Sequence, residues 1–197
     1  MSRLRLETAY LPPLAYFHWW RAHDGLVLEA HETYQKGGYR NRCVILGANG
    51  PLRLTIPLQK GKHQQLPIRE VRIDHRKPWA TQHWQSIRSA YGRAPLFEHY
   101  ADYLEPHFQQ VPEWLFDFNL GLLNTLLRLL PPLPPHTLSA AYELHPNEVD
   151  GRSVLRPNRP VPDHLQPAPY PQVFTDRFGF TPGLSVLDAL FCGAARW

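Results

Sequence analysis

Cysteine is scarce. Cys43 and Cys192 are the two in 197 residues, too few for a disulfide framework and without the paired spacing of a zinc site. Both are expected as reduced thiols, and no metal is assigned. Long apolar runs are also missing: no stretch reaches about eighteen apolar residues, and the opening MSRLRLETAYLPP has no apolar core of the secretory kind. A membrane span and a signal peptide are therefore not expected, and the chain reads as cytoplasmic. Charge of one sign is nowhere concentrated. The 21 Lys and Arg against 17 Asp and Glu leave a net charge of +4, which permits an anionic partner without demanding nucleic acid. No Gly-rich loop has P-loop or Rossmann spacing, and there is no nucleophile elbow or paired-carboxylate pattern.

What is present suffices for a core. Hydrophobic residues make up 43%, so the sequence reads as a single domain over residues 1–197. The 21 prolines gather late, and a proline-rich loop at about 146–171 is expected to be extended or partly disordered, because it shows neither period nor core surface.

The first 75 residues read as strand-rich. GLVLEAH forms one strand, and Cys43 to Leu46 is an apolar run. Leu52, Leu54, Ile56 and Leu58 alternate with polar positions, the period of a half-buried strand. Asn49-Gly50 between the two runs signals a hairpin. Pairing outward brings Tyr39 to Arg42 opposite about Leu58 to Lys60, so that Arg40, Arg42 and Lys60, with Lys62 and His63, become one basic patch. Pro51 leaves the register open by about one residue. IREVRID predicts a further strand.

From Pro78 the period becomes helical. Helices are expected at Leu14 to His23, at a segment carrying Trp84, Ile87 and Tyr91, at one carrying Phe97 to Phe108 that Pro106 ends or kinks, and from about Pro112 to Leu130. Ser185 followed by Asp188 predicts a variant capping box opening a short C-terminal helix. The expected fold class is α+β: an N-terminal, mostly antiparallel or mixed sheet, a helical middle, and a C-terminal helix packed back on the core.

Candidate chemistry rests on two constellations. Guanidinium and ammonium groups in a concave patch suit a diphosphate, although lysines also protect solvated sheet edges. His83 is a residue type suited to general acid or base work, although a histidine beside Trp84 on a helix equally serves as a hydrogen-bonded core residue. Cys192 reads as a buried thiol and Asp188 as a helix cap.

Six motifs in order, YLPPLAYF (10–17), YRNR (39–42), LTIPLQKGK (54–62), HWQSIRSAYGRAPLFEHY (83–100), FDFN (116–119) and YPQVFTDRFGFTPGLSVLDALF (170–191), resemble the WbqC-like family over nearly the whole chain. The resemblance implies a role in surface-polysaccharide clusters such as those for O-antigen, with transfer of glycine to an amino sugar as the suggested reaction. The expectation is a transferase acting on a nucleotide-activated amino sugar with an acyl or aminoacyl donor. Asn41, Arg42, Lys60 and Arg40 would bind the substrate, and His83 would remove the amine proton, helped by Tyr10 or Tyr91. No cofactor and no nucleic acid are expected. The alternative is a non-catalytic module that binds a sugar nucleotide or a protein.

Overall fold

A computed structural model describes residues 2–59 and 65–195. Lys60, Lys62 and His63, three of the expected patch residues, lie outside the described residues. The chain opens with β1 (Arg3–Glu7), whose residues are all buried after Arg3. Leu4 and Leu6 alternate with Arg5 and Glu7, so one face of the strand is apolar and the other charged. Pro12-Pro13 then starts α1 (Leu14–Arg21), which buries Leu14 to Phe17, Trp19 and Trp20. A helix apolar on nearly every side belongs inside the molecule. It leads into β2 (Leu26–Glu29).

The main sheet corrects the expected strand arrangement. Its order is β5-β2-β1-β6, with β5 (His136–Leu138) and β6 (Glu148–Asp150), and every neighbouring pair is parallel. A helical crossover from β1 to β2 returns the chain in the same direction, which imposes the parallel pairing. Two of the four strands come from beyond residue 135, and three-residue strands carry no readable period.

The antiparallel component is the hairpin of β3 (Arg42–Gly47) and β4 (Gly50–Thr55), so the α+β class holds with a parallel sheet beside an antiparallel pair. Its turn is Ala48-Asn49, with Gly47 opposite Gly50 and Arg42 opposite Thr55. Gly50 takes φ +107, a value that suits glycine, and Pro51 lies opposite Leu46. The turn lies one residue earlier than Asn49-Gly50 implied, which shifts each partner by two residues, so Arg42 faces Thr55 rather than the expected Leu58 region and the same faces still meet. IREVRID is not a strand. Ile68–Glu70 forms a 3-10 turn, and Val71 and Ile73 bury themselves through isolated bridges of Arg72 to Trp114 and of Leu58 to Ile73.

The helical middle comprises α2 (Trp79–Tyr91), α3 (Phe97–Gln109) and α4 (Leu115–Leu129). Pro106 does not end α3, which continues to Gln109; the missing N–H falls in the last turn, and the Gln110 amide still reaches the Pro106 carbonyl at 3.0 Å. The proline-rich stretch also differs from expectation. It contains β6, and Leu155, Val161 and Leu165 are buried, so apolar residues too widely spaced to form a period still supply core surface. After α5 (Thr175–Phe178), the short α6 (Val186–Phe191) packs back on the core as expected. The Ser185 amide donates to the Val44 carbonyl at 2.7 Å, the Val186 amide to Pro12 at 2.8 Å, and the Leu96 amide to Phe191 at 2.9 Å.

Candidate functional site, a charged cluster at the carboxyl edge of the sheet

The charged face of β1 continues onto its neighbours. Glu7 lies beside Glu29, and Arg5 beside Asp150. The connection from β5 to β6 runs from one edge of the sheet to the other across this face: the Ala141 carbonyl accepts from Arg5 Nη1 at 2.9 Å, and the Tyr142 carbonyl accepts from Arg152 Nη1 at 3.0 Å. Arg5, Glu7 and Glu29 are therefore buried under chain rather than left in water, while Asp150 stays exposed, and each buried charge needs a partner.

Most have one. Glu29 accepts from Arg5 and Arg152 at 2.9 and 2.8 Å, and its other oxygen from the His31 amide and the Ser139 hydroxyl. Burial pushes its carboxyl up, but these donors outweigh burial and leave it below its usual value. Arg40 grips Glu32 through Nε at 2.7 Å and Nη2 at 2.5 Å. Its Nη1 stands 3.8 Å from Glu7 and, though buried, has no hydrogen-bond partner among the described residues. Glu7 accepts from the Ser153 amide at 2.8 Å. Burial raises the carboxyls of Glu7 and Glu32 above their ordinary value despite the guanidinium. Gly38 matters here because a Cβ at that position would stand 2.8 Å from Arg40 Nη1.

The cluster has a topological location. From β1 the chain goes to one side, to β2, while β6 returns to pair on the other side. In open parallel sheets such a reversal leaves a crevice at the carboxyl ends of the strands, where ligands bind. Glu7 ends β1, and Ser153 comes shortly after β6. Ser153 takes φ 62, and Leu11, four residues past β1, takes φ 42. Left-handed backbone in non-glycine residues costs energy and gathers at functional sites.

The residues singled out in the sequence fall into three places. Arg40 is in the buried charged cluster. Asn41 is buried beside it, accepting from the Tyr34 hydroxyl at 3.0 Å and donating to the Ile56 carbonyl at 2.9 Å. Arg42 is half-buried, and its Nε has no hydrogen-bond partner among the described residues. Arg42 and Arg40 both act on the Tyr34 hydroxyl: burial pushes its pKa up and the two guanidiniums pull it down. Tyr10 and His83 meet in the core, hydroxyl to Nδ1 at 2.9 Å, with the imidazole edge-on to Trp79. Burial lowers the His83 pKa to about 4, opposed by a bond to the Thr55 backbone. A bond that favours the charged ring is one to a carbonyl, so His83 donates to Thr55 and accepts from Tyr10. Tyr91, eight residues along α2, is about 12 Å away along the helix axis; its hydroxyl accepts from the Leu46 amide at 3.2 Å, and burial and Asp188 push it well up.

Asp188 does not complete a capping box. Ser185 caps α6 alone, accepting from the Leu187 amide, and its own N–H is already committed to Val44. The Asp188 carboxylate instead accepts from Tyr170 and Gln172 at 2.8 and 2.9 Å in full burial.

Comparison with known proteins agrees with the motif order. The WbqC-like protein family model matches residues 8–152. The chain belongs to the WbqC-like protein family. No curated protein matches it, and no solved structure does. The matched region of this WbqC-like chain takes in Arg40, Asn41, Tyr10, His83 and the α4 motif, whose Asn119 donates to the Arg40 carbonyl at 2.7 Å. It ends before the Tyr170 to Phe191 segment, so the likeness covers less of the chain than the six motifs suggested. Among the described residues no helix is long and apolar enough to cross a membrane, and no His, Cys, Asp and Glu cluster could hold a metal.

Sequence reading missed Glu7, Glu29, Glu32, Arg5 and Arg152. One signal was available: RLRLE alternates charge with leucine, the pattern of a strand with a charged face.

Proposed function

We propose that this WbqC-like protein is a transferase that moves an acyl or aminoacyl group, glycine among the candidates, onto the amine of a nucleotide-activated amino sugar in surface-polysaccharide biosynthesis. The observation that carries this reading is Glu7, a buried carboxyl at the sheet reversal whose pKa is raised, facing a guanidinium nitrogen without a hydrogen-bond partner. Amine attack on an activated acyl carbon requires a base for the ammonium proton and a cation for the developing oxyanion. Glu7 takes the first role and Arg40 Nη1 the second. The cluster holds five carboxylates (Glu7, Glu29, Glu32, Glu148, Asp150) against the guanidiniums of Arg5, Arg40 and Arg152, so it favours an amine over a phosphate. The diphosphate falls to Arg42 and Lys60, with Asn41 fixing the strand between them. His83 and Tyr10 hold β4 at Thr55 and position this wall.

A non-catalytic binding module is the second reading, favoured by the closed pairing of Arg40 with Glu32. Thermal-shift titration with nucleotide amino sugars, followed by mass spectrometry of product with acyl donors, separates the two. Glu7→Gln is expected to keep ligand binding and lower transfer by about 10²–10⁴. Wild-type transfer in that variant removes Glu7 as base; binding without any acylated product favours the module.

A further inference from the structure

Beside the carboxyl end of α2, the hairpin turn and segment 171–174 enclose a half-open cavity of about 600 Å³. That volume lies within the roughly 300–1,000 Å³ of small-molecule sites. The cavity shares no residue with the charged cluster. Its walls are chiefly Ala90, Ala94, Pro95, Pro171, Val173 and Phe174, and among the described residues Arg93 is the charged one in its lining. A second guanidinium stands at the rim, since Arg177 donates to the carbonyl of Ala48, which also lines the cavity.

The remaining walls are rigid or uncharged. Gln172 is buried and fixed, donating to Thr181 and Asp188 and accepting from the Thr181 amide at 2.8 Å. Cys192 presents a neutral thiol, its pKa pushed up to about 12 by burial and by Asp188. Among the described residues no carboxylate lines the space. An apolar hollow with cations at its mouth complements one class of molecule.

We propose that this cavity binds a small organic anion with an apolar body, its carboxylate against Arg93 and its chain or ring against Val173, Phe174, Ala90 and Ala94. The inference does not depend on the transfer reaction.

Octanoate and octanol distinguish charge from apolarity, and titration calorimetry on the full chain reads both. Octanoate is expected to bind about tenfold or more tightly than octanol. Arg93→Gln, at an exposed position, should abolish that preference and leave octanol binding and the melting temperature unchanged. Ser89→Trp, also exposed and lining the cavity, should block both ligands. Glu7→Gln should bind octanoate normally, so failure of the transfer reading leaves this one standing. Equal affinity for the two probes, a preference that survives Arg93→Gln, or binding untouched by Ser89→Trp overturns the proposal.

Discussion

His83 illustrates how a residue type differs from a residue's state. An imidazole with a pKa near 4 is neutral throughout the physiological range, and both its nitrogens are engaged. In the unfolded chain the ordinary value of 6.5 returns. Between those values the unfolded state binds the extra proton, so the His83 contribution is complete above pH 6.5 and is lost as pH falls toward 4. The whole span is worth on the order of 3 kcal/mol. Glu7 and Glu32 act in the opposite sense, because their raised native values make protonation favour the fold. The comparison of His83→Gln with the unmodified protein isolates the histidine: denaturant unfolding at pH 7 and pH 4.5 should show a lowered midpoint at pH 7 and a flatter pH dependence. An unchanged dependence would remove the buried-histidine account. The sequence marked position 83 because of its chemistry and its place beside Trp84. Whether the ring met solvent or the Tyr10 hydroxyl depended on a contact 73 residues away.

Among the elements, β6 is short but held in place by the glycine directly after it. A Cβ on Gly151 would stand 2.6 Å from Leu6 Cδ2 and 2.7 Å from Trp19 Cη2, both parts of a packed wall. Gly151→Ala is expected to force β6 away from β1 and cost about 1–3 kcal/mol. A chemical-denaturation midpoint indistinguishable from wild type would contradict that packing. Elements with a long period were legible: α2 and α4 follow their apolar stripes, and the hairpin follows from its alternation and the turn signal at Asn49-Gly50, although the turn itself is Ala48-Asn49. IREVRID alternates equally well over Val71 and Ile73, yet these bury beside Trp114 and Leu58 through isolated bridges without a continuous partner strand. Alternation records which side chains are buried; it does not supply a neighbour.

Over the whole molecule, the segment beyond the family match closes the core. Leu184, Val186, Leu187, Ala189, Leu190 and Phe191 are all buried, and the backbone around α6 bonds to Pro12, Val44 and Leu96. A chain ending at Pro169 is therefore expected to lose cooperative unfolding and its near-ultraviolet circular dichroism, since it exposes the apolar faces of α2 and β3. Retention of the wild-type denaturation midpoint would show that residues 170–195 are an accessory.

Composition and periodicity by themselves determined the α+β class, the helices of the middle, the hairpin and its paired faces, because those features depend on neighbours within a few residues. The basic residues of YRNR were also evident as a group, but not that Arg40 faces inward to Glu32 while Arg42 leaves a nitrogen without a hydrogen-bond partner among the described residues. Tertiary structure alone decided the parallel sheet, since β5 and β6 reach β2 and β1 from more than 100 residues away and are too short to have a preference of their own. It also decided the charged cluster. Glu7, Glu32, Arg40 and Ser153 come from separate segments, and their charges acquire perturbed pKa values only when packing removes water from around them.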